Sequence, residues 1–326
     1  MSDDDTIAAV LSRNVGFNDP ARWLSYARKH GFRDVEASKI VACPGCGDET
    51  GTSLGQYVYY STLFQLIDCS RCGLIWANAR LNQPVTQQHF EDAYKGEDYF
   101  KMKRSKIFVQ LASLASNCSR KDASVLDIGG ATGYLVEMLV KQRPDLKLTL
   151  NDISERACNA AAERLGVKTH CGNLDSLITE GATYDTVICS DVIYYDPNIR
   201  RLWQTLAGLV RPGGTIIIRI PNKEWLIRGA AAFLRLLPAP LRTTQDRIAF
   251  FNPEHLYVLR RQYVKKQLHA HGFADVVVRP SRMLRSFSDF IMLERMGFGL
   301  AQLAYLGSSR RAVLTPSMIV TATRAF

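Results

Sequence analysis

Nowhere in the 326 residues is there a run of about 18 apolar residues free of charge, the minimum for a membrane-spanning helix. The most hydrophobic segment, Trp225 to Leu241, is broken by Arg228, Arg235, Pro238 and Pro240. The chain opens with Ser2 and the acidic Asp3, Asp4 and Asp5 after Met1, where a signal peptide needs a basic stretch followed by an apolar one. Export is therefore not expected, and the cytoplasm is the expected location. No internal repeat and no low-complexity tract occurs. With 47% apolar and 22% charged residues the chain has material for a core spread over about two domains, which rules out disorder, collagen and coiled coil.

The formal net charge of +10 is unevenly placed. Residues 1–221 hold 25 basic and 25 acidic side chains, while residues 222–326 hold 16 basic and 6 acidic. A one-sided excess points to a phosphate-bearing substrate, a nucleic acid or an anionic membrane surface, with a solvated face as the plain alternative.

Three regions follow from texture. Residues 1–42 read as a helical extension, with a helix over Arg22 to His30 started near Asn18 or Asp19 and Pro20. Residues 43–100 turn to Gly, Cys and β-forming residues such as Tyr57, Val58, Tyr59 and Tyr60, a small module with little core of its own. From residue 101 to 326, helices alternate with short apolar runs at Ser124–Ile128, Lys147–Leu150, Val167–His170, Thr186–Cys189 and Thr215–Ile220. Such runs are buried parallel strands joined by crossover helices, so the fold class is α/β with a doubly wound sheet. Ala274–Arg279 and Met318–Thr323 complete it to seven strands at one edge, and cap insertions are expected at about 222–253 and 283–312.

The module needs a staple, and its cysteines supply one. Cys43-Pro44-Gly45-Cys46-Gly47 and Cys69-Ser70-Arg71-Cys72-Gly73 are two C-x-x-C-G knuckles. Two residues between thiolates let one tight turn place both sulfurs on one ion, and two such turns make a tetrahedral site for structural zinc. A redox pair or an iron site is the alternative. Cys118, Cys158, Cys171 and Cys189 have no paired spacing and are expected to be buried small apolar residues.

Ser124 to Leu135 runs from a strand through Gly129-Gly130-Ala131-Thr132-Gly133 into an amphipathic helix, so free amides face a ligand at a helix start. A nicotinamide reading is poor, because Val136 replaces a third glycine and no Tyr-x-x-x-Lys occurs downstream of the loop. Asp127 lies two residues before Gly129, suited to a cationic amino group, and Asp152 ends the next strand, placed for ribose hydroxyls. At this point the chain resembles the class I S-adenosylmethionine-dependent methyltransferases. Gly172-Asn173-Leu174-Asp175 resembles their adenine-contact turn, with Asn173 where Asp is usual. Tyr184 to Ile193 resembles their fourth strand and Leu209 to Thr215 their Pro-Gly-Gly turn.

The resemblance reaches outward over roughly residues 43 to 280. The knuckles, Gly73 to Asn78, and Tyr94 with Tyr99 look like the zinc-bearing part of methyltransferases associated with sugar and polysaccharide biosynthesis, and Phe251 to Leu256 is similar to the same subgroup. Ala79 and Arg80 depart from it, as does Tyr194-Tyr195 where Glu-His is usual.

The resemblance implies a Rossmann-like methyltransferase fold and an S-adenosyl-L-methionine site built from Tyr99, Asp127, Gly129, Gly130, Ala131, Gly133, Tyr134, Asp152, Ile153, Asn173, Leu174 and Asp191. Tyr94, Tyr99 and Tyr134 line the sulfonium end or pack between module and core. His255 is the first candidate for a general base, with Asp191, Tyr194 and Tyr195 beside it, while His30, His269 and His271 take no role.

Lys223 to Leu237 forms a basic amphipathic helix that rests on a membrane, clamps phosphate or simply acts as a lid, and Met283 to Arg311 carries the same choice. The favoured activity is methyl transfer to a small molecule or glycan, such as a sugar nucleotide or lipid-linked sugar. An RNA methyltransferase is the alternative, disfavoured because the knuckles carry little of the charge. A cofactor-fold protein without catalysis is the third reading, against which the intact glycine loop and Asp152 argue.

Overall fold

The computed structural model describes residues 37–59, 62–81, 97–236, 251, 255–282 and 292–326. The expected helix over Arg22 to His30, Tyr94 and the centre of the first cap insertion lie outside them. The described end of the 1–42 region is extended instead of helical, a strand β1 (Ala37–Lys39). It is followed by β2 (Gly51–Tyr59), β3 (Thr62–Cys69), β4 (Ile75–Ala77) and β5 (Ala79–Leu81).

Beyond the module, α1 (Glu97–Cys118) leads into β6 (Ser124–Ile128). Then come α2 (Tyr134–Gln142), β7 (Lys147–Asp152), α3 (Glu155–Leu165), β8 (Lys168–Cys171) and α4 (Asp175–Thr179). They are followed by β9 (Tyr184–Ser190), α5 (Ile199–Leu209) and β10 (Val210–Pro221). The remaining elements are α6 (Glu224–Leu236), β11 (Tyr257–Val258), α7 (Arg261–Ala270), β12 (Phe273–Pro280), α8 (Met292–Gly307) and β13 (Ser317–Arg324).

The seven-stranded sheet runs β12-β13-β10-β9-β6-β7-β8. Neighbours from β10 to β8 are parallel, and β13 is antiparallel to both β10 and β12. The expected doubly wound, mostly parallel α/β fold is therefore what the sequence forms. Its central strands are mainly apolar because both faces are covered. On one face Ile107, Leu111, Ala112 and Ala115 of α1 pack with Val125, Ile188, Ile217 and Ile319. Elsewhere Val136, Leu150, Cys158 and Ala161 make a second cluster. Ser154 starts α3 by accepting a hydrogen bond from the Ala157 amide at 3.1 Å, which satisfies one of the unpaired donors of a helix start.

The chain divides into two compact units. One holds β1 to β5 together with residues 194–200 and 223–263; the other holds the seven-stranded sheet. In the first, β11, β4, β3 and β2 form an antiparallel sheet. Leu66, Ile75 and Val258 bury against Ile227 of α6, with Leu54 and Phe251 at the margin. The segment expected as a cap on the sheet domain, about 222–253, thus supplies the helix α6 to the knuckle unit, and the strand β11 follows just after it. The boundary expected at residue 100 falls inside α1, which belongs to the other unit.

Among the scattered cysteines, Cys158 and Cys189 are buried as expected. Cys118 and Cys171 are exposed, a correction to the sequence reading. Cys118 closes α1 and Cys171 closes the edge strand β8, both at element ends. Among the described residues no helix is long and apolar enough to cross a membrane.

Candidate functional site

The knuckles close because each turn folds back on its first cysteine. The Gly47 amide donates to the Cys43 carbonyl at 2.7 Å and the Gly73 amide to the Cys69 carbonyl at 3.0 Å. Gly47 and Gly73 have φ of 78° and 76°, the left-handed region that glycine enters without a Cβ clash. The hairpin of β2 and β3 brings the two turns together, so the Sγ atoms of Cys43, Cys46, Cys69 and Cys72 lie within 4.8 Å of one another. Cys43–Cys72 and Cys46–Cys69 are each 3.6 Å apart. A tetrahedral zinc at about 2.3 Å from each sulfur spaces the sulfurs by about 3.8 Å, so the donor set fits that ion. The Leu74 amide donates to Cys72 Sγ at 3.5 Å. The hydrogen bond from Cys43 lowers the Cys72 thiol to about 5, while the same contact pushes Cys43 up.

Arg80, which departs from the pattern of the resembling family, is buried in the same unit. Its Nη1 donates to the Ala77 and Ala79 carbonyls at 2.8 and 3.0 Å, and its guanidinium lies 5.0 Å from the Tyr257 ring centre.

In the sheet unit, the glycine bend joins β6 to α2. Gly129, Ala131 and Gly133 have φ of 64°, 49° and 85°. A Cβ on Gly129 would collide with Val192 Cγ2, so a larger residue there would force the Val192 side chain to move. The Gly130 amide donates to the Asn151 carbonyl at 3.0 Å, and the Ala131 amide donates to Asp152 Oδ2 at 2.9 Å. Asp152 Oδ1 accepts from the Ser154 amide at 3.0 Å. The acid predicted for ribose is thus 2% exposed and turned to the bend, with two of about four acceptor positions on amides.

Asp127 is 3% exposed. Burial first, then the charge of Asp152, push its carboxyl up to about 8. Burial likewise raises the thiol of Cys189, with Asp127 adding to the shift.

The other expected cofactor residues scatter around this core. Ile153 is 42% exposed beside Asp152. Asn173 Oδ1 accepts from the Asp175 amide at 3.1 Å, and Leu174 caps the start of α4. The Tyr134 ring, expected to face a sulfonium, carries the Arg164 guanidinium 5.1 Å from its centre. Tyr99 lies in α1, and its side chain is outside those described.

The expected catalytic residues divide. Asp191 follows β9 with φ of 60°, an uncommon conformation for a residue other than glycine, and belongs to the sheet unit. Its Oδ2 accepts from Arg219 Nη1 and from Arg104 Nη1, the latter at 3.3 Å. Tyr194, Tyr195 and His255 gather in the knuckle unit. The His255 ring stacks on Tyr194 at 3.9 Å between centres and meets Tyr195 edge-on at 5.5 Å. The Leu256 amide donates to the Tyr194 carbonyl at 2.9 Å, which holds these residues in register. Sequence reasoning missed Arg104 and Arg219. A single arginine inside Ile216-Ile217-Ile218-Arg219-Ile220 was the available signal, since a charge in a central strand must be paired.

Residues 101–278, more than half of the chain, match the family model described as Methyltransferase domain. The chain belongs to this methyltransferase family. The ubiquinone biosynthesis O-methyltransferase of Coxiella burnetii is 25% identical over 158 residues, covering 45% of this chain and 65% of the relative. The protein of that name from Bordetella avium is 31% identical over 175 residues, covering 50% of this chain and 69% of the relative. The chain thus spans less than two thirds of the length of the Coxiella relative. The complex between the Haloferax volcanii Trm112 methyltransferase activator and a methyltransferase contains a chain of the same fold. It has 13% identity and a TM-score of 0.50 and covers 73% of this chain and 98% of that one. The bend and Asp152 lie inside the matched methyltransferase domain, whereas the four cysteines precede it.

Two outcomes follow for the purified chain. Metal analysis is expected to give about one zinc per molecule, and a chelator should expose four reactive thiols and unfold the knuckle unit; a metal-free chain with that unit intact would contradict the site. Asp127 has a folded-state pKa of about 8 against 3.8 unfolded. The stability it contributes is therefore full below about pH 4 and falls by about 1.4 kcal/mol per pH unit up to about pH 8. Urea melts of Asp127→Asn across this range should lack that decline, and an unchanged pH profile would refute the assignment.

Proposed function

We propose that the chain is an S-adenosylmethionine-dependent methyltransferase acting on a small-molecule acceptor. The observation that carries the reading is the bend from Gly129 to Gly133 hydrogen-bonded to Asp152 at the carboxyl ends of β6 and β7, the edge where open parallel sheets take their ligands. The donor set fits the cofactor. Asp152 suits ribose hydroxyls, Asp127 a cationic amino group, and the amides at the start of α2 a carboxylate. Ile153, Asn173 and Leu174 would flank the adenine, and Tyr99 and Tyr134 the sulfonium end. When bound, S-adenosylmethionine supplies an electrophilic methyl group on a sulfonium.

The remaining work falls to the chain's own residues. Asp127 is mainly protonated at pH 7 without ligand and releases its proton as a cation settles beside it. His255 accepts the proton of an acceptor hydroxyl, with Tyr194 and Tyr195 fixing its ring. Asp191 positions Arg104 and Arg219. Cys43, Cys46, Cys69 and Cys72 hold zinc for folding, since four protein ligands leave no open coordination position.

The names of the relatives support oxygen as the acceptor atom. A sugar nucleotide or lipid-linked sugar is the finer reading, supported by the knuckle resemblance and the basic residues after 221. A peripheral contact with anionic lipid has its own support in α8. There Met296, Leu300, Leu303 and Leu306 are exposed on one side, and Arg310 and Arg311 follow, also exposed.

Calorimetry with S-adenosylhomocysteine on the whole chain is expected to show one site, weakened about tenfold or more in Asp152→Asn. No heat from a folded chain would sink the reading. A screen of hydroxylated sugars and phenols for a mass gain of one methyl replacing one hydrogen then selects the acceptor. Vesicles containing phosphatidylglycerol should sediment the chain, and Leu300→Glu with Leu303→Glu should release it; equal binding of that variant would dismiss the lipid contact.

A further inference from the structure

Arg219 is 1% exposed within the central strand β10. Two of its three nitrogens are engaged, Nη1 with Asp191 Oδ2 and Nε with Ser281 Oγ at 2.9 Å. Its Nη2 is buried and has no hydrogen-bond partner among the described residues. Ser190 stands beside Arg219 in register on the parallel strand β9, so the two side chains share a face of the sheet. The Ser190 hydroxyl is also buried without a partner among the described residues. Arg104, on α1, shares the Asp191 carboxylate at 3.3 Å.

A folded chain normally pairs its buried donors, and a guanidinium more strictly than a neutral group. Here a charged N–H and a hydroxyl lie buried and unpaired among the described residues on neighbouring strands, toward their carboxyl ends. Arg219 and Arg104 both reach the Asp191 carboxylate, so Arg219 does not have that acid to itself. An oxyanion accepts from both the guanidinium and the hydroxyl, and guanidinium is suited to carboxylate and phosphate oxygens.

We propose that Arg219, Ser190 and Arg104 form a subsite for an oxyanion, a carboxylate or phosphate carried by the methyl acceptor. Asp191 holds the two guanidiniums in place. The assignment of the anion to the acceptor rests on the methyltransferase reading, whereas anion binding itself is measurable without turnover.

The test uses the whole chain at fixed ionic strength, with benzoate, phenyl phosphate and neutral benzyl alcohol as probes, followed by thermal unfolding and calorimetry. Benzoate or phenyl phosphate should stabilise the chain saturably and benzyl alcohol should not. Arg219→Gln should weaken the anion by about tenfold or more while S-adenosylhomocysteine and 5′-methylthioadenosine bind as before. Ser190→Ala retains the ion pairs and covers the case in which Arg219→Gln does not fold; it should weaken the anion by a smaller factor.

Anions no better than benzyl alcohol on the folded chain would overturn the proposal. So would loss of S-adenosylhomocysteine with 5′-methylthioadenosine retained in either variant, which would give the subsite to the cofactor's own carboxylate. If the parent chain takes the anions but not S-adenosylhomocysteine, the oxyanion subsite stands and the methyltransferase reading falls.

Discussion

The hydrogen bond from the Ala131 amide to Asp152 ties the first two parallel strands together beyond their ends. Parallel strands finish on one edge, and the backbone there has no ladder partner. The bend meets that constraint by turning left-handed at Gly129, Ala131 and Gly133 and handing its amides to Asn151 and Asp152. The conformation at Ala131 costs about 1 kcal/mol, and a charged acceptor offsets it. The same closure buries Asp127 against Asp152, so the raised proton affinity of one acid follows from the placement of the other.

Along this edge two acids meet opposite surroundings. Asp127 has desolvation and a neighbouring carboxylate, which favour its neutral form. Asp191 has two guanidiniums on one oxygen. A neutral acid and an ion pair therefore line one sheet edge, and the first responds to cations while the second leaves donors for anions. This division suits a reaction that brings a cationic donor to an acceptor.

The knuckle unit obeys a different constraint. Its antiparallel strands are short, and the cysteines and a borrowed helix provide what they cannot. Ile227 of α6 and Val258 of β11 complete the apolar cluster around Leu66 and Ile75. His255 lies within that borrowed chain, and Tyr194 comes from the separate segment 194–200. Residues expected at the substrate side are therefore held by the cysteine-stapled sheet, distant in sequence from most of them.

Local pattern was enough for the parallel strands, the bend, the place of Asp152 at the end of β7 and the meeting of the two knuckles, because each depends on residues a few positions apart: apolar runs, glycines ahead of a helix, and thiols two residues from their partners. Helix and strand ends shifted only slightly, as at β8, read as Val167–His170 and found at Lys168–Cys171. What the sequence could not reveal depends on distant partners. The exposure of Cys118 and Cys171, the assignment of residues 223–263 to the knuckle unit, Arg164 over Tyr134, and the junction of Arg104, Asp191 and Arg219 all join segments tens of residues apart. Burial and charge pairing are properties of the packed chain, so only tertiary structure decides which acid is neutral and which arginine keeps an open donor.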